Sequence, residues 1–392
     1  MRRQPLALPA ALLLALTACT RPYNPPVVDP AGAHFPGLLD LLADMPGEAK
    51  ALDVYVVHGM CTHDKKWVDA TFDGLAEHLG ALAAAPARTA VTRLEGGAIE
   101  IHPRTFALPQ GTLNAYAVVW SPLTASHKKK LCYDQTTKSE LCEDAEPYRP
   151  TRARLNAALK DTLLNDCLAD AIIYQGASRS AIVEAMQNAL THLAASRGGV
   201  PPAVKSRDAL VRAAAANDTP LVVITESLGS KVVYDAIHDM QAARHVRDRP
   251  GLRAVGASIF ARNRQVFMLA NQIPMLALAD LPPDRGAGKA APAETRFPPD
   301  PLAALLAEER ARKETRPPRT LVAFTDPNDQ LSYLLRPAGY GDAAATVDVQ
   351  VSNAPAWLGL FANPWSAHTG YGATTEVMEK VVCGHPRSVH CR

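Results

Sequence analysis

The sequence predicts an α/β protein built on a mostly parallel central sheet flanked by helices, and three observations carry that expectation. Short, continuous apolar runs such as Leu52–Val57, Leu221–Thr225 and Thr320–Thr325 read as strands buried on both faces. Stretches with apolar residues at helical spacing separate them, which is the pattern of βαβ units. One of these strands, Leu221–Thr225, runs straight into Glu226-Ser227-Leu228-Gly229 and then a helical stretch, Lys231–Ala242, so the chain turns sharply at the end of a buried strand.

Length and composition agree with a single large core. The chain has 392 residues, 47% hydrophobic and 20% charged, with a formal net charge of +2. That composition is ordinary for a globular protein. There is no basic stripe interleaved with aromatics, so nucleic acid is not an expected partner.

The amino terminus reads as an export signal. Arg2 and Arg3 precede the apolar run Leu6–Leu16, which is too short to span a bilayer, and Leu16-Thr17-Ala18-Cys19 follows. This ending resembles a bacterial lipobox, which implies cleavage after residue 18 and a lipid on Cys19; a plain signal peptide with an incidental Cys is the alternative. By the same resemblance, Thr20 in place of Asp implies the outer membrane, facing the periplasm. Residues 19–37, with Pro22, Pro25, Pro26, Pro30 and Pro36, read as a stiff extended tether. The folded domain is expected from residue 38 to residue 392.

Within it the expected order is a strand at Leu52–Val57, a helix at Trp67–Leu82, a strand at Ala115–Trp120, and helices at Thr151–Leu168 and Ser180–Ala195. The strand Leu221–Thr225 and helix Lys231–Ala242 come next. Strands at Gln265–Ala270, Thr320–Thr325 and Thr346–Val351 and a closing helix at Thr374–Val382 complete the series. Two segments interrupt it. Residues 127–150 are polar and read as an insertion. Residues 282–318 are rich in Pro around a short helical run near Leu302–Arg312, and a loop of that length is expected to be a lid or binding loop. Leu302, Leu305 and Leu306 give it a short apolar face, for a substrate chain or simply for the core.

Cys19 aside, six Cys remain, and an exported chain sits in an oxidising space. The local pairs Cys132–Cys142 and Cys383–Cys391 need the least chain closure. Cys61 and Cys167 are left to pair or to stay buried thiols.

The turn at Ser227 is the context in which a strained backbone lifts a hydroxyl above a sheet and aims a helix amino terminus at it. Gly229 supplies the small residue needed where strand and helix approach, whereas Thr225 is larger than the usual Gly. Ser227 as a plain helix cap is the bland alternative. A rival turn, Gly176-Ala177-Ser178-Arg179-Ser180, follows Asp170–Tyr174. A hydroxyl needs a base. Asp326 and Asp329 both lie after the strand Thr320–Thr325; Asp329-Gln330-Leu331 resembles a common Asp-x-hydrophobic loop pattern and is preferred, while Asp326 could cap the turn instead. His368 lies after the last strand and before the last helix, whereas His385 and His390 come too late. His58-Gly59-Met60 follows the first strand, and Gly59 lets the backbone come close; His58 and His63 lack a third ligand at a metal-binding interval.

In that order these features resemble the α/β-hydrolase superfamily of serine esterases and lipases over most of residues 50–383. The resemblance implies the α/β-hydrolase fold with a Pro-rich lid-like insertion. It implies a triad of Ser227, Asp329 and His368, with an oxyanion hole from Gly59, Met60 and Leu228. It implies hydrolysis of a small-molecule or lipid ester without cofactor or metal. The same fold also hosts inactive relatives that bind or scaffold.

Overall fold

The computed structural model describes residues 26–47, 50–80, 90–136, 139–143, 146, 151–204, 206–242, 251–281, 300–312, 319–335, 340, 343–357 and 360–391. The signal segment, Cys19 and the first part of the tether lie outside these residues.

A nine-stranded sheet organises the chain in the order β1-β9-β8-β7-β6-β2-β5-β4-β3. Its strands are β1 (Val27–Asp29), β2 (Ala51–Val57), β3 (Thr92–Leu94), β4 (Ile99–Leu108), β5 (Gly111–Val119), β6 (Leu221–Glu226), β7 (Asn263–Leu269), β8 (Arg319–Thr325) and β9 (Ala344–Gln350). From β5 through β2, β6, β7 and β8 to β9 all neighbours are parallel. These are the continuous apolar runs, buried on both faces. Leu52, Val54 and Val56 pack on one side and Tyr55 and Val57 on the other, as the two-residue period of a strand requires.

The sheet is mixed rather than wholly parallel. β4 pairs antiparallel with β5, and β3 with β4. The apolar-run criterion passes over β3 and β4 because they carry Arg93, Glu100, His102, Pro103 and Arg104, the polar content of a sheet margin. At the other margin, Val27–Asp29 lies antiparallel against Asp348–Gln350 of β9. The expected tether is therefore partly built into the fold, which is under way before Leu38. A Pro-rich extended segment suits an edge, where a missing N–H breaks no ladder.

Helices cover both faces. On one side lie Arg179–Ala195, Arg207–Ala215, Gly229–Ala242, Leu252–Arg262 and Pro301–Ala311, and on the other Leu38–Ala43, Lys65–Leu79 and Thr375–Cys383. No helix among the described residues is long and apolar enough to cross a membrane.

Three further expectations meet the structure here. Asp170–Tyr174, read as the strand before a rival turn, is helical within Ala169–Gln175. Ser178 is consequently the residue before the Arg179–Ala195 helix and not a strand-to-helix elbow. The described part of the 282–318 insertion is the Pro301–Ala311 helix, started by Asp300 accepting from the amides of Leu302 and Ala303. Leu302, Leu305 and Leu306 are core residues, and Glu309 pairs with Arg319 at the amino end of β8. The carboxyl-terminal turn of this helix, with Leu306, Glu309 and Arg310, lies at the amino ends of the strands; residues 282–299 and 313–318, most of the expected lid, lie outside the described residues. The six Cys form three disulfides, Cys132–Cys142, Cys383–Cys391 and Cys61–Cys167.

Candidate active site

The strand order reverses at β2. From it the chain runs out to the β3 edge and returns through β4 to β5 on one side, and later crosses to β6 on the other. At such a switch point the loops part and leave a crevice at the carboxyl ends of the strands. Ser227 and Gly59, which follow β6 and β2, meet there.

Ser227 adopts φ +52°, the left-handed region that costs an ordinary residue strain. Its amide donates to Leu269 O at 2.7 Å, tying the turn to the end of β7. The crowding around it explains two glycines. A Cβ on Gly59 would stand 2.6 Å from the Ser227 Cβ, and one on Gly229 would stand 2.5 Å from His58 O. Thr225, larger than the usual Gly, fits because it stays in the strand and its Oγ1 shares a hydrogen with Ser230 Oγ at 2.7 Å.

The Ser227 Oγ lies 3.2 Å from His368 Nε2. His368 sits on a short helix, Pro364–Thr369, that Asn363 caps through the Trp365 amide. Its Nδ1 is 3.0 Å from both carboxylate oxygens of Asp329. Asp329 is buried and also accepts from Tyr371 Oη at 2.9 Å and the Leu331 amide at 2.9 Å. Asp326 has a different task. It accepts from the amides of Asn328 at 2.8 Å and Asn353 at 2.7 Å, which shapes the loop and joins it to the segment after β9. Tyr371 bridges the two acids, since its oxygen also accepts from the Asp326 amide. Ser227, His368 and Asp329 are brought together; Asp326 and Ser178 stay outside that chain of contacts.

The Gly59–Met60 loop is held firmly. The His58 ring is buried against Trp120, with centroids 5.2 Å apart. Its Nδ1 hydrogen-bonds Gly59 O at 2.8 Å, and its Nε2 accepts from the amides of Trp120 and Ser121. That pattern requires neutral imidazole, and burial holds its pKa well below the usual range. Beyond Met60, the Cys61 amide donates to Asp170 and the Thr62 amide to Asp166. Lys128, fully buried, bridges Asp166, Asp170 and the Thr62 hydroxyl, and the Cys61–Cys167 disulfide closes the same junction. The amides of Met60 and Leu228 have no acceptor among the described residues. Sequence reasoning did not reach Lys128, Asp166 or Asp170, because no local pattern announces a contact between residues 62 and 166.

A cavity of about 480 Å³ opens on this cluster, lined among others by Gly59, Met60, Trp67, Glu226, Ser227 and His368. A larger one, about 580 Å³, opens at the amino ends of the strands near Leu41, Gln265 and Arg310, away from Ser227.

The chain matches no protein family, no curated protein and no solved structure. The site is therefore read from its own geometry.

One cavity residue had no assigned role in the sequence. Burial raises the Glu226 carboxyl pKa from the ordinary 4.5 to about 7, against the smaller opposing effects of the Trp67 hydrogen bond and of His368. A raised carboxyl pKa means that the fold binds the proton more tightly than the unfolded chain. Stability is thus full below the unfolded pKa and falls as pH rises toward 7. At about 1.4 kcal/mol per pKa unit, the ionised group destabilises the fold by up to about 3 kcal/mol above neutrality. Glu226→Gln should raise the melting temperature by a few degrees near pH 8 and leave it unchanged near pH 4. Thermal unfolding of both proteins at the two pH values checks this; an equal effect at both would mean that ionisation is not the cause.

Proposed function

We propose that the chain is a serine hydrolase of the α/β-hydrolase type that cleaves carboxylic esters, most simply acyl esters, through an acyl-enzyme intermediate. The observation that carries this reading is the continuous contact from Ser227 Oγ to His368 Nε2 and from His368 Nδ1 to the buried Asp329, at the switch point of the sheet. The chain order of nucleophile, acid and base after β6, β8 and β9 supports the assignment.

In this mechanism His368 takes the Ser227 proton as Oγ attacks the ester carbonyl. Asp329 holds the imidazole in the tautomer that keeps Nε2 free to accept, and stabilises the imidazolium that forms. The amides of Met60 and Leu228, with Gly59 giving the backbone room, receive the oxyanion; such preorganised donors supply about 3–4 kcal/mol of barrier reduction each. His368 returns the proton to the departing alcohol. Water then enters by the same route in reverse and releases the acid. Because His58, Lys128 and the Cys61–Cys167 bridge hold the donor loop, little reorganisation remains for the reacting complex.

The Leu16-Thr17-Ala18-Cys19 ending supports placing the enzyme at a bacterial envelope membrane, by a lipid on Cys19, with the outer membrane favoured by Thr20. A single experiment addresses both parts. Fractionated cells expressing the full chain are treated with a fluorophosphonate probe; the chain should be labelled, and the label should travel with the membranes. An unlabelled but folded chain would instead be a scaffold that keeps the fold without the chemistry, and label in the soluble fraction would remove the anchor.

A further inference from the structure

The cavity beside Ser227 contains a carboxylate that the mechanism does not use. Glu226 immediately precedes the nucleophile and lines the same cavity. Its Oε2 accepts from Trp67 Nε1 at 3.3 Å, which fixes the side chain against the Lys65–Leu79 helix. Its other oxygen, Oε1, has no hydrogen-bond partner among the described residues. That oxygen lies 3.6 Å from where a Cβ on Gly372 would stand, so the glycine leaves its surroundings open.

No fixed cation faces it from the described lining of the cavity. No lysine or arginine is among the described residues that line the cavity. Its histidines are engaged elsewhere: His63 Nδ1 with Cys61 O, His78 Nδ1 with Gly74 O, and His368 with Asp329. Two further carboxylates, Asp73 and Glu77, lie at the rim; Asp73 pairs with Arg104, which is not a lining residue, and so the field in the cavity is negative. A half-buried carboxylate without a cationic partner destabilises the free protein, and a group kept in that condition in a cleft is a mark of a binding site. The costs are relieved only by a proton or by a cation brought in from outside.

We propose that Glu226 is a specificity-determining residue and that the cavity takes an ester carrying a cationic amine a few bonds from its carbonyl. This deepens the hydrolase reading and rests on it for the word ester. The ammonium donates to Oε1 while Trp67 keeps the carboxylate in place, and the ring of Trp67 offers a further face to the cation. Charge complementarity in a partly desolvated cleft favours the matching ligand and disfavours an anion at the same position.

The test reads binding, not turnover, so that it stands apart from the question of catalysis. On the Ser227→Ala protein, calorimetry near pH 8 compares ethyl γ-aminobutyrate with two ligands of the same length, neutral ethyl pentanoate and anionic monoethyl glutarate. The cationic ester should bind about tenfold more tightly than the neutral one, and the anionic ester more weakly than either. In Ser227→Ala with Glu226→Gln the cationic advantage should fall to about twofold or less. Equal binding of the three ligands to the Ser227→Ala protein overturns the proposal, and does so even where the double variant does not fold. A cationic advantage that survives Glu226→Gln also overturns it. Failure of the hydrolase reading shows separately, as absence of fluorophosphonate labelling in the unaltered chain.

Discussion

Replacing Ser227 with alanine is expected to abolish hydrolysis of short p-nitrophenyl esters, a loss of roughly a millionfold in kcat, and to remove all fluorophosphonate labelling. The substitution deletes one hydroxyl, and that hydroxyl's partner is His368, so the structural consequence is small while the chemical one is complete. The backbone remains held by the Ser227 amide on Leu269 O, which alanine retains. Melting temperature should stay close to that of the unaltered protein. Ser178→Ala is the matched control. Ser178 precedes a helix, its Oγ lies 3.5 Å from His127 Nε2, and neither residue touches the Ser227 cluster, so most of the rate should remain. The two variants are compared by kcat/KM and by thermal unfolding; a lost rate in Ser178→Ala with retained rate in Ser227→Ala would reverse the assignment.

The second large effect separates the two aspartates. Asp329→Asn should lower kcat by about ten-thousandfold near neutral pH, because the amide no longer holds the imidazole in the right tautomer or balances its positive charge. The substitution is nearly isosteric; Leu331 donates to Oδ1 and Tyr371 to Oδ2, so with the asparagine oxygen at the Oδ1 position the Leu331 contact persists and the new amide can donate to the Tyr371 oxygen, and stability should change little. Asp326→Asn should show the opposite balance. Its carboxylate receives the amides of Asn328 and Asn353, and weakening these charge-assisted bonds should reduce stability by about 1–3 kcal/mol while much of the rate remains at low temperature. The paired reading of rate and melting temperature decides. A rate loss in Asp326→Asn without a stability loss would make Asp326 the triad acid.

The elements legible in the sequence are those whose signal is local. Leu221–Glu226 is apolar on both faces because it lies in the middle of the sheet, and burial on both faces removes the alternation that would hide a strand. The turn at Ser227 was legible for the same reason: a small residue at Gly229 and a polar Ser at the end of a buried strand are constraints felt within five residues. The order of Ser227, the acid and His368 along the chain could also be read directly. The local disulfides Cys132–Cys142 and Cys383–Cys391 followed from short separation alone.

Local pattern misled where tertiary packing supplied the deciding energy. Asp170–Tyr174 is apolar enough for a strand, yet it is helical, with Tyr174 packed into the core and its hydroxyl donating to Asp235. Leu302, Leu305 and Leu306 offered an apolar face for a substrate chain or for the core, and packing alone shows that the core holds them. β3 and β4 carry the charges of a sheet margin, so only their pairing with β5 marks them as strands. The Pro-rich stretch before Leu38 reads as tether until β9 offers it a ladder.

What the sequence by itself determined was the α/β class with its mostly parallel sheet, and the candidates Ser227 and His368, since each rests on residue types within a few positions of one another. What only the tertiary structure decided was which of Asp326 and Asp329 touches His368, the Lys128 junction that holds the Gly59–Met60 loop, and the carboxylate of Glu226 that no lysine or arginine faces. In each of these the deciding fact is whether a charge meets a partner across a hundred residues or more, or across one loop and another. A charge's energy depends on what surrounds it in space and is nearly blind to its neighbours along the chain.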